Sequence, residues 1–495
     1  MPRQRRLLTA GSILLLLLLA GPQVLAPDGL ELLAMTRGWL GGPVLDDAQQ
    51  WAPLWPALLL PLSWMDLEKA AWLLNLVLAG AVAWPIHVLL ERLGGGRAAA
   101  AGVVVWLGLR AMHLHAPVLD ARPLLWLLFS CTAALALQGR WRWAFAAAAL
   151  APLARPEGAV ALPLLAVGAL LARQRPLRIG LLALLAATPA LLVSLLRGGR
   201  STWEAFYAPW TGVWTVEDYM ALNGAASGGT AYRHFVEQAV EVGLESPPSD
   251  PLALVEALPS GLGIVGLGLV HSLGGLLLLL ALAGLVRLGR LGWRSGVAGA
   301  LAGLPLLALA PLPMLAGQGS LATNLLFVAP MLVVGAVHGA WGLVGRRDRQ
   351  WPLAGALLLL GLAEAHLAPW RCPEPVYMEN SRSSDALRAW LAAHPPADGT
   401  VACTITGRGS VLRAGLQPTP LPSLWEEWSP SPGALALITT VDVLGQDGGR
   451  GLAMLESEQW ELVHLVGDED LASWQGGEPR DPDTWQALLR FTGPR

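Results

Sequence analysis

The feature that most constrains this chain is a series of long apolar stretches that recur through its first 370 residues. A helix needs about 20 mostly apolar residues to cross a bilayer. Only 14% of the residues are charged, against about a quarter in an average soluble domain. The mean hydropathy of +0.50 points the same way. The sequence therefore predicts a mainly α fold, a polytopic transmembrane helical bundle.

Eleven apolar segments are predicted to span the membrane. They lie near 7–25, 70–90, 98–117, 123–138, 142–154, 157–172, 179–196, 268–286, 296–315, 321–343 and 352–368. The first resembles a secretory signal, but its apolar run is long and further spans follow, so we expect an uncleaved span. The apolar region 52–66 is interrupted by three prolines and is predicted to be an interfacial or re-entrant helix rather than a span.

Positive charge in the short loops predicts the orientation, because Lys and Arg concentrate on the cytoplasmic side. Alternate loops carry Arg3, Arg5 and Arg6, then Arg92 and Arg97, Arg140 and Arg142, Arg173, Arg175 and Arg178, Arg287, Arg290 and Arg294, and Arg346, Arg347 and Arg349. This places the N-terminus in the cytoplasm and, with eleven spans, the C-terminus outside. The expected location is the cytoplasmic (inner) membrane.

Two domains follow from this topology. Residues 1–369 form the predicted transmembrane domain, with outer loops at 26–69 and 197–262. Residues 370–495 form a small extracytoplasmic α/β domain, since a helix-like segment precedes strand-like VACTI, ALALITTV and WELVHLV. Cys372 and Cys403 lie in this tail, and the sequence does not fix whether they pair. The net charge of −3 gives no basic surface for nucleic acid.

The first outer loop contains four acidic residues that are candidate catalytic or substrate-binding residues. Asp28 and Glu31 are three residues apart, so they would share one face of a short helix. Asp46 and Asp47 follow a Gly-Gly-Pro turn. Carboxylates at a membrane face are costly unless they are solvated or used. The alternative is that these acids are simply solvated or cap helices.

A further, small outer loop at 110–123 offers His113, His115 and Asp120. A His-x-His pair with a nearby carboxylate suggests a divalent metal, although no fourth ligand is evident. The alternative is that the histidines are interfacial anchors. Asp120 is also a second acid that faces the same compartment as Asp28.

Arg155 and Glu157 interrupt two apolar helices at the predicted outer face. An arginine suits bidentate contact with phosphate. The alternative is an ion pair that only caps the two spans. Spacing alone does not separate a functional site from such a cap.

In this order, these segments resemble the C-type glycosyltransferase superfamily, and within it the bacterial protein-mannosyltransferase and aminoarabinose-transferase branch. The family carries a catalytic acid soon after the first span, where Pro27-Asp28-Gly29-Leu30-Glu31 stands here. Ala52-Pro53-Leu54-Trp55 is similar to its Pro-Leu-aromatic signature, and Asp120-Ala121-Arg122-Pro123-Leu124 to its second loop. Arg155-Pro156-Glu157-Gly158 resembles a motif of bacterial members.

The resemblance implies an inverting hexosyl- or pentosyltransferase. Its donor would be a polyprenyl-phosphate-linked sugar at the outer face, with the isoprenoid tail among membrane lipid and the spans. Its acceptor would be a glycan, a lipid or a protein. No metal is required uniformly in the family, so the cofactor expectation is none, with a divalent metal as the open alternative.

The resemblance also assigns roles to residues. Asp28 would be the general base on the acceptor hydroxyl. Arg155 would offset the charge of the leaving phosphate, and Glu157 would be a further substrate-binding residue. Asp120 would orient the acceptor or Arg155, Asp46 or Asp47 would hold sugar hydroxyls, and Glu31 would be a second acid beside Asp28.

Two other classes of protein remain open. A transporter of lipid-linked precursors would show inverted repeats and charged residues near the middle of the bilayer, whereas the acids here cluster at predicted outer ends. A non-catalytic scaffold would keep the fold without the chemistry. Replacing Asp28 with asparagine separates a transferase from both.

Overall fold

The computed structural model of the protein describes residues 2–19, 27–42, 53–155, 158–159, 161–172, 174–196, 273–290, 329–344, 351–367, 380–403, 410–421, 430–439, 454–455, 457–466 and 486–493. The chain forms two compact units. The described residues of the first are 2–19, 53–196 and 273–367 with the gaps given above. Those of the second are 27–42 and the C-terminal residues from 380 onward.

The first unit is helical. Its helices are α1 (Pro2–Leu19), α3 (Leu54–Leu59), α4 (Leu67–Ala81), α5 (Ala83–Gly94), α6 (Gly96–Gly108), α7 (Arg110–His115), α8 (Arg122–Leu137), α9 (Trp141–Ala154), α10 (Ala161–Leu171), α11 (Pro176–Leu196), α12 (Gly275–Arg290), α13 (Ala329–Val344) and α14 (Trp351–Leu367). The second unit contains α2 (Pro27–Trp39) and α15 (Asn380–Ala393). The predicted mainly helical fold is confirmed.

Most of the predicted spans coincide with these helices, and the segment at 296–315 lies outside the described residues. Within the described part, two helical stretches are long and apolar enough to cross a membrane, Leu67–Gly94 and Pro176–Val193. The other apolar helices have 10–17 residues. The number of spans and their orientation therefore remain predictions. Helix α3 has only six residues and is too short to cross a bilayer.

Helices α12 and α13 pack with their backbones in direct contact. A Cβ added at Gly339 would collide with the carbonyl oxygen of Leu280, and one added at Gly284 with that of Gly335. Gly335 and Gly339 are four residues apart and share one face of α13. Small residues at this spacing let helices approach closely where lipid, rather than water, surrounds them. These glycines therefore set the distance between the two helices.

Polar side chains tie the ends of several helices together. Glu364, near the end of α14, accepts hydrogen bonds from the backbone N–H groups of Gly275 and Leu276, both at 2.9 Å. These groups begin α12 and have no partner within their own helix. His366 Nε2 bonds to the carbonyl oxygen of Gly108 at the end of α6, 2.9 Å away. These bonds connect the start of α12 and the end of α6 to the C-terminal part of α14.

The C-terminal part of the second unit is an α/β domain. Its strands are β1 (Thr400–Cys403), β2 (Gln417–Pro420), β3 (Leu435–Thr439), β4 (Trp460–Val466) and β5 (Gln486–Phe491). They form one mixed sheet in the order β2-β1-β3-β5-β4. Strand β1 runs parallel to β2 and β3, whereas β5 is antiparallel to β3 and β4. Consecutive residues such as Val401 and Ala402 point to opposite faces of the sheet and belong to separate apolar clusters.

Three of these strands were predicted and two were not. The predicted β1, β3 and β4 carry β-branched and apolar runs. Strand β2 reads QPTP, and two prolines argue against a strand in sequence. Its place at the edge of the sheet explains the exception, because an edge strand does not need every N–H group for pairing. Strand β5 lies in the sheet interior, where neighbouring strands decide its pairing.

Acid is expected to weaken the C-terminal domain through His464. The rings of Trp390 and His464 stack at 5.1 Å, and those of Trp390 and His394 at 4.5 Å. Burial, reinforced by His394, lowers the pKa of His464 below its usual range. The unfolded chain then binds the proton more readily, so stability is present above the ordinary pKa of about 6.5 and falls as the pH drops below it.

The measurement is the thermal unfolding midpoint of the domain in the full-length protein between pH 7.5 and pH 5.5. We expect the midpoint to fall by a degree or two, roughly, because His464 is only partly buried. A His464→Gln variant should lose that part of the pH dependence. An equal slope in both proteins would contradict the assignment.

Candidate functional site

Helix α2 carries the two predicted acids of the first outer loop. Asp28 is its second residue and Glu31 its fifth, so both positions lie in its first turns. Negative charge is favourable at this end of a helix, where backbone N–H groups are unpaired. The structure thus places Asp28 and Glu31 on one helix, as predicted. Asp46 and Asp47 lie outside the described residues.

Asn75 joins three segments of the first unit. It is fully buried within α4, in an otherwise apolar stretch. Its Oδ1 accepts a hydrogen bond of 2.8 Å from Nε1 of Trp55 in α3. Its Nδ2 donates to the carbonyl oxygens of Val118 at 2.6 Å and Asp120 at 2.9 Å. One side chain therefore fixes both α3 and the loop that contains Asp120.

Asp120 is wholly buried, and Arg122 is its ionic partner. Its Oδ1 accepts from the backbone N–H of Arg122 at 2.7 Å, and its Oδ2 lies 3.2 Å from Nη1 of the same residue. A buried carboxylate is tolerated when it is paired and hydrogen-bonded in this way. The pair also places a guanidinium at the start of α8. A role for Asp120 in orienting the acceptor or Arg155 remains a prediction.

The two histidines of the small outer loop at 110–123 have hydrogen-bonding partners. Nη1 of Arg122 lies 3.3 Å from Nδ1 of His115. A guanidinium only donates, so Nδ1 must accept and the proton of His115 resides on Nε2. Nε2 of His113 bonds to the carbonyl oxygen of Leu107 at 2.6 Å, so it also carries a proton.

A metal site is not evident among the residues that the structure describes. They contain no group of three or more His, Cys, Asp and Glu side chains arranged to hold a metal ion. At His115, Nδ1 faces Arg122, so a metal would have to displace that contact or the proton on Nε2. At His113, an Nε2–H bonded to a carbonyl is compatible with ligation through Nδ1, so the divalent metal stays a prediction.

Arg155 ends α9 and is buried, with 7% of its surface exposed. Its backbone leaves the helix in an extended conformation, and its carbonyl oxygen accepts from the N–H of Gly158. A Cβ at position 158 would collide with the carbonyl of Ala151. The close approach of position 158 to α9 therefore requires the glycine of the Arg-Pro-Glu-Gly motif. Glu157 lies outside the described residues.

The sequence predictions missed Asn75 and Arg122. A polar residue inside a predicted span was a usable signal for Asn75, because such side chains usually bond across helices. Arg122 stands next to Pro123 at a helix start, a position that looks like an ordinary terminus. Only its contacts with Asp120 and His115 distinguish it.

Comparison with solved structures identifies the fold. The chain is similar to ArnT from Cupriavidus metallidurans bound to undecaprenyl phosphate, with a TM-score of 0.54, 14% identity and 99% of each chain covered. The apo state of the same ArnT gives a TM-score of 0.53 at 13% identity, again with 99% of each chain covered. No protein-family model and no curated protein matches the sequence.

The chain is also similar to the apo form of the Archaeoglobus fulgidus oligosaccharyltransferase, with a TM-score of 0.53 and 13% identity. That match covers 84% of this chain and 64% of the other, so the protein spans less than two thirds of the oligosaccharyltransferase. Both neighbours are C-type glycosyltransferases. The resemblance read from the sequence is therefore confirmed at the level of the fold, and the chain has the fold of the C-type glycosyltransferases.

Proposed function

We propose that the protein is an inverting glycosyltransferase that uses a polyprenyl-phosphate-linked sugar at the outer face of the cytoplasmic membrane. Its acceptor is a glycan, a lipid or a protein. The observation that carries the proposal is the fold shared along 99% of both chains with an ArnT that holds undecaprenyl phosphate. The apolar helices of the first unit are suited to an isoprenoid tail, since they expose leucines such as Leu181 and Leu184.

Asp28 acts as the general base in this proposal. It removes the proton from the acceptor hydroxyl while that oxygen attacks the anomeric carbon. The bond from the anomeric carbon to the phosphate oxygen breaks in the same step, so configuration inverts. The polyprenyl phosphate leaves with its negative charge. Asp28 is the second residue of α2, and the start of a helix is a favourable place for a carboxylate.

Arginine side chains of the first unit stabilise the negative charge of the leaving phosphate. Arg155 is buried and directly follows α9, and its backbone carbonyl accepts a hydrogen bond from the N–H of Gly158. A fixed, desolvated guanidinium stabilises developing phosphate charge better than a mobile one, since it needs no reorganisation during the reaction. The loop that contains Asp120 is held by Asn75 and by the pair of Asp120 and Arg122.

The test compares Asp28→Asn with Asp66→Asn at equal abundance in membranes. Asp66 is a matched control, since it also lies in the first outer loop and caps α4 by accepting from the N–H of Lys69. Asparagine caps helices as well as aspartate does. Sugar transfer by Asp28→Asn is expected to fall by about 10²–10⁴, whereas Asp66→Asn should keep the wild-type rate.

The readout is the profile of glycolipids and glycans in cells with the wild type, in cells without the protein, and in cells with each variant. A sugar-bearing species that is lost both with the deletion and with Asp28→Asn names the product. If that species persists with Asp28→Asn, Asp28 is not the base. A transporter or a scaffold then becomes the better explanation.

A further inference from the structure

Helix α2 is built into the second unit together with the C-terminal domain. Five consecutive residues from Leu32 to Thr36 are buried, which for a helix means contact on every side. Ala34 and Met35 form an apolar cluster with Leu412, which lies between strands β1 and β2. The helix that carries Asp28 is thus packed against a residue of the C-terminal domain.

The end of α2 is fixed by its own backbone. Gly41 has a φ of +88°, its N–H bonds to the carbonyl oxygen of Gly38, and the N–H of Gly42 bonds to that of Arg37. This pair of bonds is the Schellman arrangement, which satisfies the last carbonyls of a helix. The turn therefore holds the backbone of Arg37 in a defined place.

Arg37 then reaches the C-terminal domain across 375 positions of sequence. Its Nη1 donates a 2.8 Å hydrogen bond to the carbonyl oxygen of Leu412. The same oxygen accepts from the N–H of Gly415 at 3.0 Å. If the guanidinium is removed, the carbonyl oxygen of Leu412 therefore keeps its hydrogen bond from the N–H of Gly415. Removal of Arg37 should loosen the C-terminal end of α2, which stays packed through Ala34 and Met35, without unfolding the domain.

We propose that Arg37 is a positioning residue that ties the helix of Asp28 to the C-terminal domain. The catalytic part of this inference rests on the proposed function. Positions 28 and 37 are nine residues apart, which is two and a half turns, so they lie on opposite sides of the helix axis. The tether at position 37 and the base at position 28 therefore stand at opposite ends of the buried stretch from Leu32 to Thr36.

The bond also favours arginine over lysine. A guanidinium is planar and donates in a fixed direction, whereas an ammonium is a mobile and strongly hydrated point charge. A small misplacement of a reacting group is expensive in rate. Loosening of α2 should therefore lower kcat, while the KM for the lipid-linked donor should change little, because the guanidinium of Arg37 is bonded to the C-terminal domain.

The experiment uses the full-length protein with Arg37→Met, Arg37→Lys and Arg490→Met. Methionine keeps most of the aliphatic stem and removes the donors. Arg490 is an exposed arginine on β5 of the same unit, so Arg490→Met controls for the loss of one charge. Hydrogen exchange of the backbone at residues 32–39 reports the tether, and the rate of sugar transfer reports positioning.

In Arg37→Met we expect exchange at 32–39 to rise and kcat to fall about tenfold or more, with KM within about twofold of wild type. Arg37→Lys should restore kcat in part, and Arg490→Met should match wild type in both measurements. Unchanged exchange in Arg37→Met overturns the tether. Raised exchange with a wild-type kcat overturns the positioning role. If the wild type transfers no sugar, the proposed function fails, and exchange alone still decides the tether.

Discussion

Replacing Asn75 with leucine is expected to destabilise the first unit by about 2–5 kcal/mol. Leucine has nearly the same volume, so the change removes hydrogen bonds without leaving a large cavity. Nε1 of Trp55 and the carbonyl oxygens of Val118 and Asp120 would each lose their bond to the amide. All of these bonds are buried. Leaving a buried polar group without a hydrogen-bond partner costs more free energy than a typical hydrogen bond contributes to stability.

The measurement is the thermal unfolding midpoint of the purified protein in detergent, with Thr188→Val as the control. The hydroxyl of Thr188 donates a hydrogen bond to the carbonyl oxygen of Leu184 within the same helix, but this side chain is exposed. We expect Asn75→Leu to lose several degrees or more and Thr188→Val to stay close to wild type. Equal midpoints for the two variants would contradict the role of Asn75. Under the proposed function, Asn75→Leu should also lower sugar transfer, because α3 and the Asp120 loop lose their common anchor.

Replacing Gly339 with alanine is expected to destabilise the protein, whereas the same change at Gly355 is expected to stabilise it. Both glycines lie within helices, and alanine is the better helix former by about 1 kcal/mol. At Gly355 nothing lies within 4 Å of the added Cβ, so only that gain remains. At Gly339 the Cβ would collide with the carbonyl oxygen of Leu280, and α12 and α13 must move apart. Overpacking of this kind costs about 1–3 kcal/mol or more.

The two single variants are compared by the fraction of folded protein that survives heating in the same detergent. The two variants are expected to change stability in opposite directions, so each serves as a control for the other. The detergent, the expression system and the type of substitution are the same. A Gly339→Ala protein as stable as Gly355→Ala would show that α12 and α13 tolerate separation. The glycines would then not set the helix distance.

How much could be predicted from the sequence differs between elements and contacts. The apolar runs predicted helices such as α8 and α9 because the signal is local, each residue being tested against its own neighbours. Strands β3 and β4 were predictable for the same reason. Strand β2 was not, since its prolines contradict a strand everywhere except at an edge, and sheet order is decided by distant pairing.

The candidate site divides in the same way. The sequence by itself determined the helical fold and the resemblance to the C-type glycosyltransferases, because residue type and order carry these, and it proposed Asp28 and Arg155 as candidates. Tertiary structure alone decided the partners of Asn75, which lie 20 to 45 positions away, and the partner of Arg37, which lies 375 positions away. A hydrogen bond depends on where two atoms meet in space, and chain spacing fixes that only within a few residues inside one helix or strand.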